Sequence, residues 1–404
     1  MKQFTYLAWF KILYFSLAIA VLSLLSACAT PQATSVGNVL PIEQAVALAT
    51  DGLVSQTQTL PGFLAKVESK VAKRSVVVDP FLDSSTGQQT MATQLFEKYV
   101  RERLNTKYNN FDLLPFQADS LGKAQYLLTA TMTRGQHDQE KNAFQLNIAL
   151  TELRSGKVVA QASALAQSGG LDSNPLPYYR DSPVLVKDNV LEGYVRTSAT
   201  APGQRADGFY LDRVAVATVI SEATSLYNAE RYPEALGHYK SALATPAGEQ
   251  LRVLNGIYLA NVKLGRTSEA EAAFGKVVAM GITYSELGVK FLFNPGSTEF
   301  WSDQRVSGAY SMWLRQIARE SIAAKVCMNI IGHTSRTGSE QSNDALSLQR
   351  AVMIRQRLIA EATNLGPRTK AKGMGYRENI VGSGSDNAVD ALDRRVEFKI
   401  VPCN

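Results

Sequence analysis

Histidine and cysteine, two residue types often used in catalysis and metal binding, are scarce in this sequence of 404 residues, which contains 3 of each. It contains 3 histidines, His137, His238 and His333, and their separation along the chain does not match the spacing of metal ligands. We interpret His333 as a structural part of its turn rather than as a general base. The Gly/Ser stretch at 382–390 lacks the lysine of a phosphate-binding loop. Since we also find no nucleophile paired with a base, the sequence predicts a non-enzymatic protein without a cofactor or a metal.

Long runs of a single charge are also missing. The chain has a formal net charge of +6, and removal of Lys2 and Lys11 with an N-terminal leader would lower it to +4 (6 − 2). Such a mildly basic surface is compatible with anionic polymers of the cell envelope, but it is too weak for a nucleic-acid footprint. We therefore predict no nucleic-acid partner.

The N-terminus combines basic residues with a short apolar run, ILYFSLAIAVLSLL at 12–25. This run is too short to span a bilayer as a permanent helix, so it predicts a secretory signal peptide at 1–27. The letters LSAC at 25–28 resemble the lipobox of bacterial lipoproteins. That resemblance implies that Cys28 is acylated and becomes the lipid anchor of the mature chain.

Ala29 follows the proposed anchor, at the position where an aspartate would indicate retention in the inner membrane. The lipobox resemblance therefore implies an outer-membrane lipoprotein that faces the periplasm. In the alternative interpretation, an ordinary signal peptide is cleaved after Ala27 and Cys28 has no role.

Two cysteines remain beyond the signal, Cys327 and Cys403, and each lies at the edge of an apolar run that is typical of a strand. The periplasm is oxidising, which favours a disulfide between them. A disulfide requires the start of one strand beside the end of the other, with α-carbons within about 7 Å. Two buried free thiols are the alternative.

Next to the signal we predict a tether and a short helix at 28–70, followed by an α+β domain at 71–167. The order of VVVDPF, FDLLPF, AQYLLTATM and LTELRSGKVVA in this domain resembles the periplasmic fold of CsgG-like, FlgO-like and LpoB-like lipoproteins. Those relatives range from secretion pores to activators of wall synthases. The resemblance therefore implies a fold but does not select a function.

Residues 168–212 are rich in Gly, Pro and Ser, and this composition predicts a connector. Tyr178 and Tyr179 within it indicate that part of the connector docks on a neighbouring domain.

An internal repeat lies at 213–285. Ala235 aligns with Ala270 and Tyr239 with Phe274, and both pairs are 35 positions apart (270 − 235 and 274 − 239). The pattern resembles tetratricopeptide repeats, with generic helical hairpins as the alternative. Two repeats are few for an independent solenoid, so we expect them to pack on a flanking domain. The resemblance implies either a binding surface for other envelope proteins or a spacer.

The C-terminal region, 286–404, has apolar runs that predict the order strand, helix, strand, helix, strand, strand. Ser347 is a candidate N-cap of the second helix. This start would place Arg350 at the third helical position, where the helix N-terminus could help it to bind an anion.

The letters GHT at 332–334, NDALSLQRA at 343–351 and DRRVEF at 393–398 resemble the OmpA-like peptidoglycan-binding module. In that family an aspartate and an arginine, fifteen positions apart, hold the diaminopimelate side chain of the wall peptide. The resemblance implies a site that includes Thr334, Asn343 and Arg350, in which the guanidinium binds the carboxylate of the ligand.

Ser335 occupies the position of the family's aspartate (350 − 15). The ammonium group of the ligand would lose its countercharge, and a hydrogen bond to a charged group contributes about 1.5–3 kcal/mol. Affinity should fall roughly ten- to hundred-fold if nothing compensates. Glu340 and Asp344 are candidates to supply the missing carboxylate, and the alternative is that both are solvated loop acids.

Together these features predict a multidomain α+β lipoprotein, with an α+β envelope domain, helical-hairpin repeats and an OmpA-like βαβαββ domain. Its expected function is to contact peptidoglycan and to scaffold an envelope assembly. The alternative is a partner-binding factor of a secretion, flagellar or wall-synthesis machine whose OmpA-like domain no longer binds peptidoglycan.

Overall fold

The computed structural model describes residues 38–57, 73–135, 143–285, 287–294, 296–381, 384 and 389–403. The predicted signal peptide, the lipidation site Cys28, most of the tether and His137 lie outside the described residues. In the part of the chain that is described, no helix combines the length and the apolar character needed to cross a membrane.

A mixed sheet forms the N-terminal part of the fold. Its strands are β1 Arg74–Val78, β2 Leu82–Asp83, β3 Phe111–Leu114, β4 Tyr126–Arg134, β5 Ala143–Glu152 and β6 Lys157–Gln167. They are arranged in the order β3-β1-β4-β5-β6, with β2 paired to β4. β1 is parallel to β3 and β4, whereas β4, β5 and β6 are antiparallel. This part of the fold therefore begins with parallel strands and ends in an antiparallel run.

Successive side chains of β1 point to opposite faces of this sheet. Val76 and Val78 pack with helices α1 Ile42–Thr57 and α2 Met91–Lys107, while Val77 belongs to a cluster on the opposite face. A short helix, α3 Ala118–Leu121, precedes β4.

The region predicted as a connector, 168–212, is instead folded into the structure. It contains α4 Pro177–Asp181, α5 Asn189–Ser198 and α6 Gly208–Leu211. The hydroxyl of Tyr194 accepts a hydrogen bond from the Ala130 N–H of β4 at 3.0 Å. In this region Gly169, Gly170, Pro202 and Gly203 lie outside the short helices, whereas Pro177, Gly193 and Gly208 lie within them. The side chains of Asp188 and Asp207 cap α5 and α6. The composition of this region did not distinguish turns between short helices from a linker.

The repeat region forms two helical hairpins, built from α7 Val214–Asn228, α8 Tyr232–Leu243, α9 Leu251–Lys263 and α10 Thr267–Thr283. Tyr239 packs between the hairpins, with its ring against Gly256 of α9. The contact is so close that a Cβ added at Gly256 would lie 2.4 Å from the tyrosine ring. Tyr178 of α4 stacks on Tyr239 with ring centroids 6.1 Å apart. The tetratricopeptide assignment itself remains a prediction.

The C-terminal sheet contains β7 Leu287–Val289, β8 Cys327–Gly332, β9 Thr369–Gly373 and β10 Val396–Val401, in the order β7-β10-β8-β9. β9 is parallel to β8, and β10 is antiparallel to β7 and β8. Its helices are α11 Gln304–Ser307, α12 Tyr310–Ala323 and α13 Glu340–Glu361. Short 3-10 helices cover Pro246–Gly248, Thr363–Leu365 and Val389–Leu392.

The repeats pack directly on this C-terminal part. Phe274 of α10 stacks on Trp313 of α12 with centroids 5.6 Å apart, and Trp313 Nε1 donates to the Tyr258 hydroxyl at 2.8 Å. Val39–Asn404 accordingly form one compact unit.

A disulfide joins Cys327 to Cys403, with α-carbons 5.2 Å apart. The register of the sheet explains the link, since Cys327 lies opposite Val401 at the end of β10. The two cysteines are 76 positions apart in the sequence, so the disulfide closes a long loop.

We expect Cys403→Ser to lower the free energy of unfolding by about 4 kcal/mol, because a crosslink over a loop of this length restricts the unfolded chain strongly. Urea denaturation followed by circular dichroism, with and without a thiol reductant, measures the effect. The variant itself should not respond to the reductant. A wild-type protein whose stability is unchanged on reduction would contradict the prediction.

Asp79 is a buried carboxyl group where the N-terminal sheet meets the folded-in connector. It is 8% exposed, and the Tyr210 hydroxyl donates to its Oδ2 at 2.6 Å. Burial raises the pKa of Asp79 to about 7, although the hydrogen bond from Tyr210 acts in the opposite direction.

Because the folded-state pKa lies above the ordinary value of 3.8, the folded state binds more protons than the unfolded state between these values. Stability should therefore fall as pH rises from about 4 to about 7 and stay lower above. We expect Asp79→Asn to exceed the wild type in unfolding free energy at pH 8 by on the order of 2–4 kcal/mol, and to match it near pH 4. Urea denaturation at both pH values tests this, with the exposed Asp119→Asn as control.

Candidate functional site

The GHT turn follows β8, and a short loop leads from it into α13. The helix begins at Glu340, and Ser339 is its N-cap, with Oγ accepting from the Ser342 N–H at 3.2 Å. The prediction that Ser347 caps this helix is therefore wrong. Arg350 lies ten residues beyond Glu340, within the helix. The free amides at the helix start are therefore too far away to bind an anion together with its guanidinium.

Ser347 has a different role, as the point where α13 touches the sheet. Gly332 and Gly373 lie opposite each other at the ends of β8 and β9. A Cβ at Gly332 would lie 2.1 Å from the Ser347 carbonyl oxygen, and one at Gly373 would lie 2.6 Å from Ser347 Oγ. Ser347 Oγ also donates to the Asp344 carbonyl oxygen and accepts from the Gly375 N–H, at 2.9 and 3.0 Å. Gly332 and Gly373 thus permit a close approach of helix and sheet.

Arg350 is buried and is held by the segment that follows β7. It is 5% exposed, and Nε donates to the Ser297 carbonyl oxygen at 3.1 Å. Nη2 lies 3.5 Å from the Asn294 carbonyl oxygen, and the guanidinium carbon lies 4.6 Å from the centroid of the Phe293 ring. Ser335, at the position of the family's aspartate, is also buried. A ligand carboxylate would have to compete with these contacts of Arg350.

Thr334 and Asn343 shape the loop between them. The Thr334 N–H donates to the Gly375 carbonyl oxygen at 2.9 Å. Asn343 Nδ2 lies 3.0 Å from the carbonyl oxygens of both Thr337 and Ser339, so its side chain ties the loop to the first turn of α13. The backbone of the loop is consequently preorganised.

The two candidate compensating carboxylates both face Arg377, in the segment after β9. Arg377 Nη1 lies 3.2 Å from Glu340 Oε1 and 2.7 Å from Asp344 Oδ1. The sequence did not identify Arg377, because a residue more than thirty positions away becomes a neighbour only when β9 pairs with β8. Each carboxylate would have to leave this ion pair to serve a ligand cation.

A second polar cluster lies beneath the same loop. Arg395, which is 4% exposed, donates to Glu397 Oε1 at 2.7 Å and to the Glu378 carbonyl oxygen at 3.1 Å. Burial alone would raise the pKa of Glu397, but the neighbouring His333 and Arg395 outweigh it and lower this pKa to about 2. Asp393 accepts from the Ile380 N–H at 2.7 Å and so holds the segment after β9.

Comparison with known proteins supports the assignment of this part of the chain. Residues 292–391 match the OmpA family, which confirms the prediction of a C-terminal OmpA-like domain. Among curated proteins, none matches the chain.

Several solved structures are similar to the chain. The peptidoglycan-associated lipoprotein from Burkholderia pseudomallei has 26% identity and a TM-score of 0.24, covering 28% of this chain and 89% of that chain. The cell wall anchor of the T6SS from Pseudomonas aeruginosa has 20% identity and a TM-score of 0.25, covering 32% and 94%. The periplasmic domain of Helicobacter pylori MotB, residues 90–256, has 21% identity and a TM-score of 0.23, covering 29% and 74%.

We expect Gly332→Ala to lower the free energy of unfolding by about 3 kcal/mol, because the new methyl group would overlap the backbone of α13 at Ser347. Gly237→Ala is the matched control. Gly237 lies on the exposed side of α8. Apart from its chain neighbours and the nearby backbone of its own helix, no atom of the described residues comes within 4 Å of the position that a Cβ would take, so this change should stabilise by about 0.5–1 kcal/mol. Chemical denaturation of both variants checks the opposite signs, and equal effects would contradict the close contact at Gly332.

Proposed function

We propose that this protein is a non-enzymatic lipoprotein, anchored in the outer membrane through Cys28, whose OmpA-like domain contacts peptidoglycan. The domain would bind the diaminopimelate side chain of the stem peptide near Thr334, Ser335, Asn343 and Arg350. The rest of the chain would scaffold an envelope assembly in the periplasm.

The single observation that carries this proposal is the OmpA family match over 292–391, which spans the whole loop and helix of the candidate site. The structure adds a loop whose backbone is fixed by Asn343 and by the Thr334 amide. A preorganised loop lowers the entropic cost of binding a small ligand. Arg350 beneath it supplies a permanent positive charge for the carboxylate.

The second candidate function is a partner-binding assembly factor whose OmpA-like domain does not bind the wall. The contacts of Arg350 favour it, since its guanidinium is already engaged by the backbone of Asn294 and Ser297. The pairing of Glu340 and Asp344 with Arg377 favours it as well. In this version Arg350 serves the fold, and the repeat helices provide the binding surface for other envelope proteins.

Co-sedimentation of the detergent-solubilised protein with isolated peptidoglycan distinguishes the two functions. We expect binding by the wild type and tighter binding, by roughly ten-fold, after Ser335→Asp, because the new carboxylate restores a countercharge for the ligand ammonium. Arg350→Ala should abolish binding. Arg357→Ala is the control, since Arg357 is exposed on the same helix and lies over Phe300.

Circular dichroism of each variant, together with the more conservative Arg350→Lys, separates loss of binding from loss of fold. If neither Ser335→Asp nor Arg350→Ala changes sedimentation while both variants remain folded, the site has no part in wall contact. The second candidate function stands if the wild type also fails to co-sediment with peptidoglycan.

A further inference from the structure

His333 is a buried histidine whose surroundings do not satisfy it. Its side chain is 1% exposed, and neither ring nitrogen has a hydrogen-bond partner among the described residues. Burying a polar group in this way is unfavourable unless something binds it. Two carboxylates lie near it. His333, Glu378 and Glu397 each offer one ligand atom, and these atoms lie within 4.8 Å of one another.

The distance between His333 and Glu397 identifies the kind of contact. Nε2 of His333 lies 3.5 Å from Oε2 of Glu397. A charge-assisted hydrogen bond between such groups is about 2.7–2.9 Å long. Two ligand atoms on one tetrahedral ion, each bound at about 2.0–2.1 Å, lie roughly 3.3–3.4 Å apart. The observed separation is closer to that of two ligands of a shared ion than to that of a hydrogen bond.

The charges around the pair fit the same interpretation. The buried guanidinium of Arg395 forms an ion pair with Glu397, with Nη2 2.6 Å from Oε1. Arg395 donates to Oε1 of Glu397, which leaves Oε2 directed at His333. Hydrogen bonds of this kind commonly orient the carboxylates of metal sites. The cost is a positive charge next to the ion, which the second carboxylate, Glu378, offsets.

Glu378 is positioned to complete the set. Its backbone is held by the hydrogen bond from Arg395 to its carbonyl oxygen, at 3.1 Å, while its side chain is exposed. An exposed side chain on a fixed backbone can move the short distance that coordination requires. The side chain is also expendable for folding, which makes it a suitable position for a test.

We propose that His333, Glu378 and Glu397 bind a divalent first-row transition-metal ion such as Zn²⁺, with water in the remaining positions. The imidazole nitrogen favours such ions over Mg²⁺ and Ca²⁺, which prefer oxygen ligands. The bound ion would link the GHT turn to the segment after β9 and to β10. Because the three residues are distributed over separate elements, their sequence spacing did not predict a metal site.

Isothermal titration of Zn²⁺ into the detergent-solubilised full chain, after removal of metals with a chelator, tests the proposal. We expect one Zn²⁺ per chain, not displaced by excess Mg²⁺, and a dissociation constant raised about ten-fold or more by Glu378→Gln. His238→Gln is the matched control, since His238 also has a carboxylate neighbour, with Nδ1 3.8 Å from Glu222. This change should leave binding unaltered.

Substitution with Co²⁺ gives an independent readout, because its visible absorption reports coordination by the protein. We expect this absorption in the wild type and in His238→Gln, and its loss in Glu378→Gln. The proposal is overturned if the wild type binds no Zn²⁺, if Glu378→Gln binds it as tightly as the wild type, or if His238→Gln removes the binding. None of these outcomes depends on peptidoglycan.

Discussion

The close approach of α13 to the ends of β8 and β9 is the constraint on which the C-terminal domain depends. It exists because Gly332 and Gly373 place no side chains between sheet and helix. Ser347 Oγ can therefore bond to the Asp344 carbonyl oxygen of the helix and to the Gly375 N–H just beyond β9. A helix fixed there determines where the GHT turn leaves the sheet and where Arg350 meets the preceding segment. Gly332 and Ser347, which belong to the motifs that resemble the OmpA-like module, are therefore explained by this contact.

That dependence changes how the candidate site is interpreted. An arginine at the family's spacing suggests a ligand contact, yet the contacts of Arg350 are those of a residue that also joins two parts of the fold. Asn343 likewise combines a family position with a structural hydrogen bond. Spacing alone does not separate the two roles, since each requires the same residue at the same place. Only a change that alters ligand charge without altering the fold separates them.

The sequence predicted those features that local pattern determines. The OmpA-like motifs depend on residues within one turn or one helix, and the match to that family over 292–391 confirms the domain. The sequence did not predict features that depend on contacts between residues far apart in the chain. Ser339 and Ser347 are both acceptable N-caps by residue type, and the sheet contact, not the local sequence, reserves Ser347 for another role. The contacts of Arg377 and of the cluster at His333 cannot be recognised in the sequence, because they form only when β9 and β10 pair with β8.

Packing between the repeats and the C-terminal domain limits how that domain can move. A wall-binding module on a linker would move independently of the rest of the chain. Here Trp313 is packed between Phe274 and Phe291, and its indole N–H is bonded to Tyr258 of the repeats. Gly275 of α10 lies so close to Gln316 that a Cβ there would be 2.9 Å from the amide oxygen. Contacts of this kind are close-packed, so they resist relative motion. Any partner of the repeats must therefore use helix faces other than the one that the OmpA-like domain covers, and a force on that domain would reach the repeats directly.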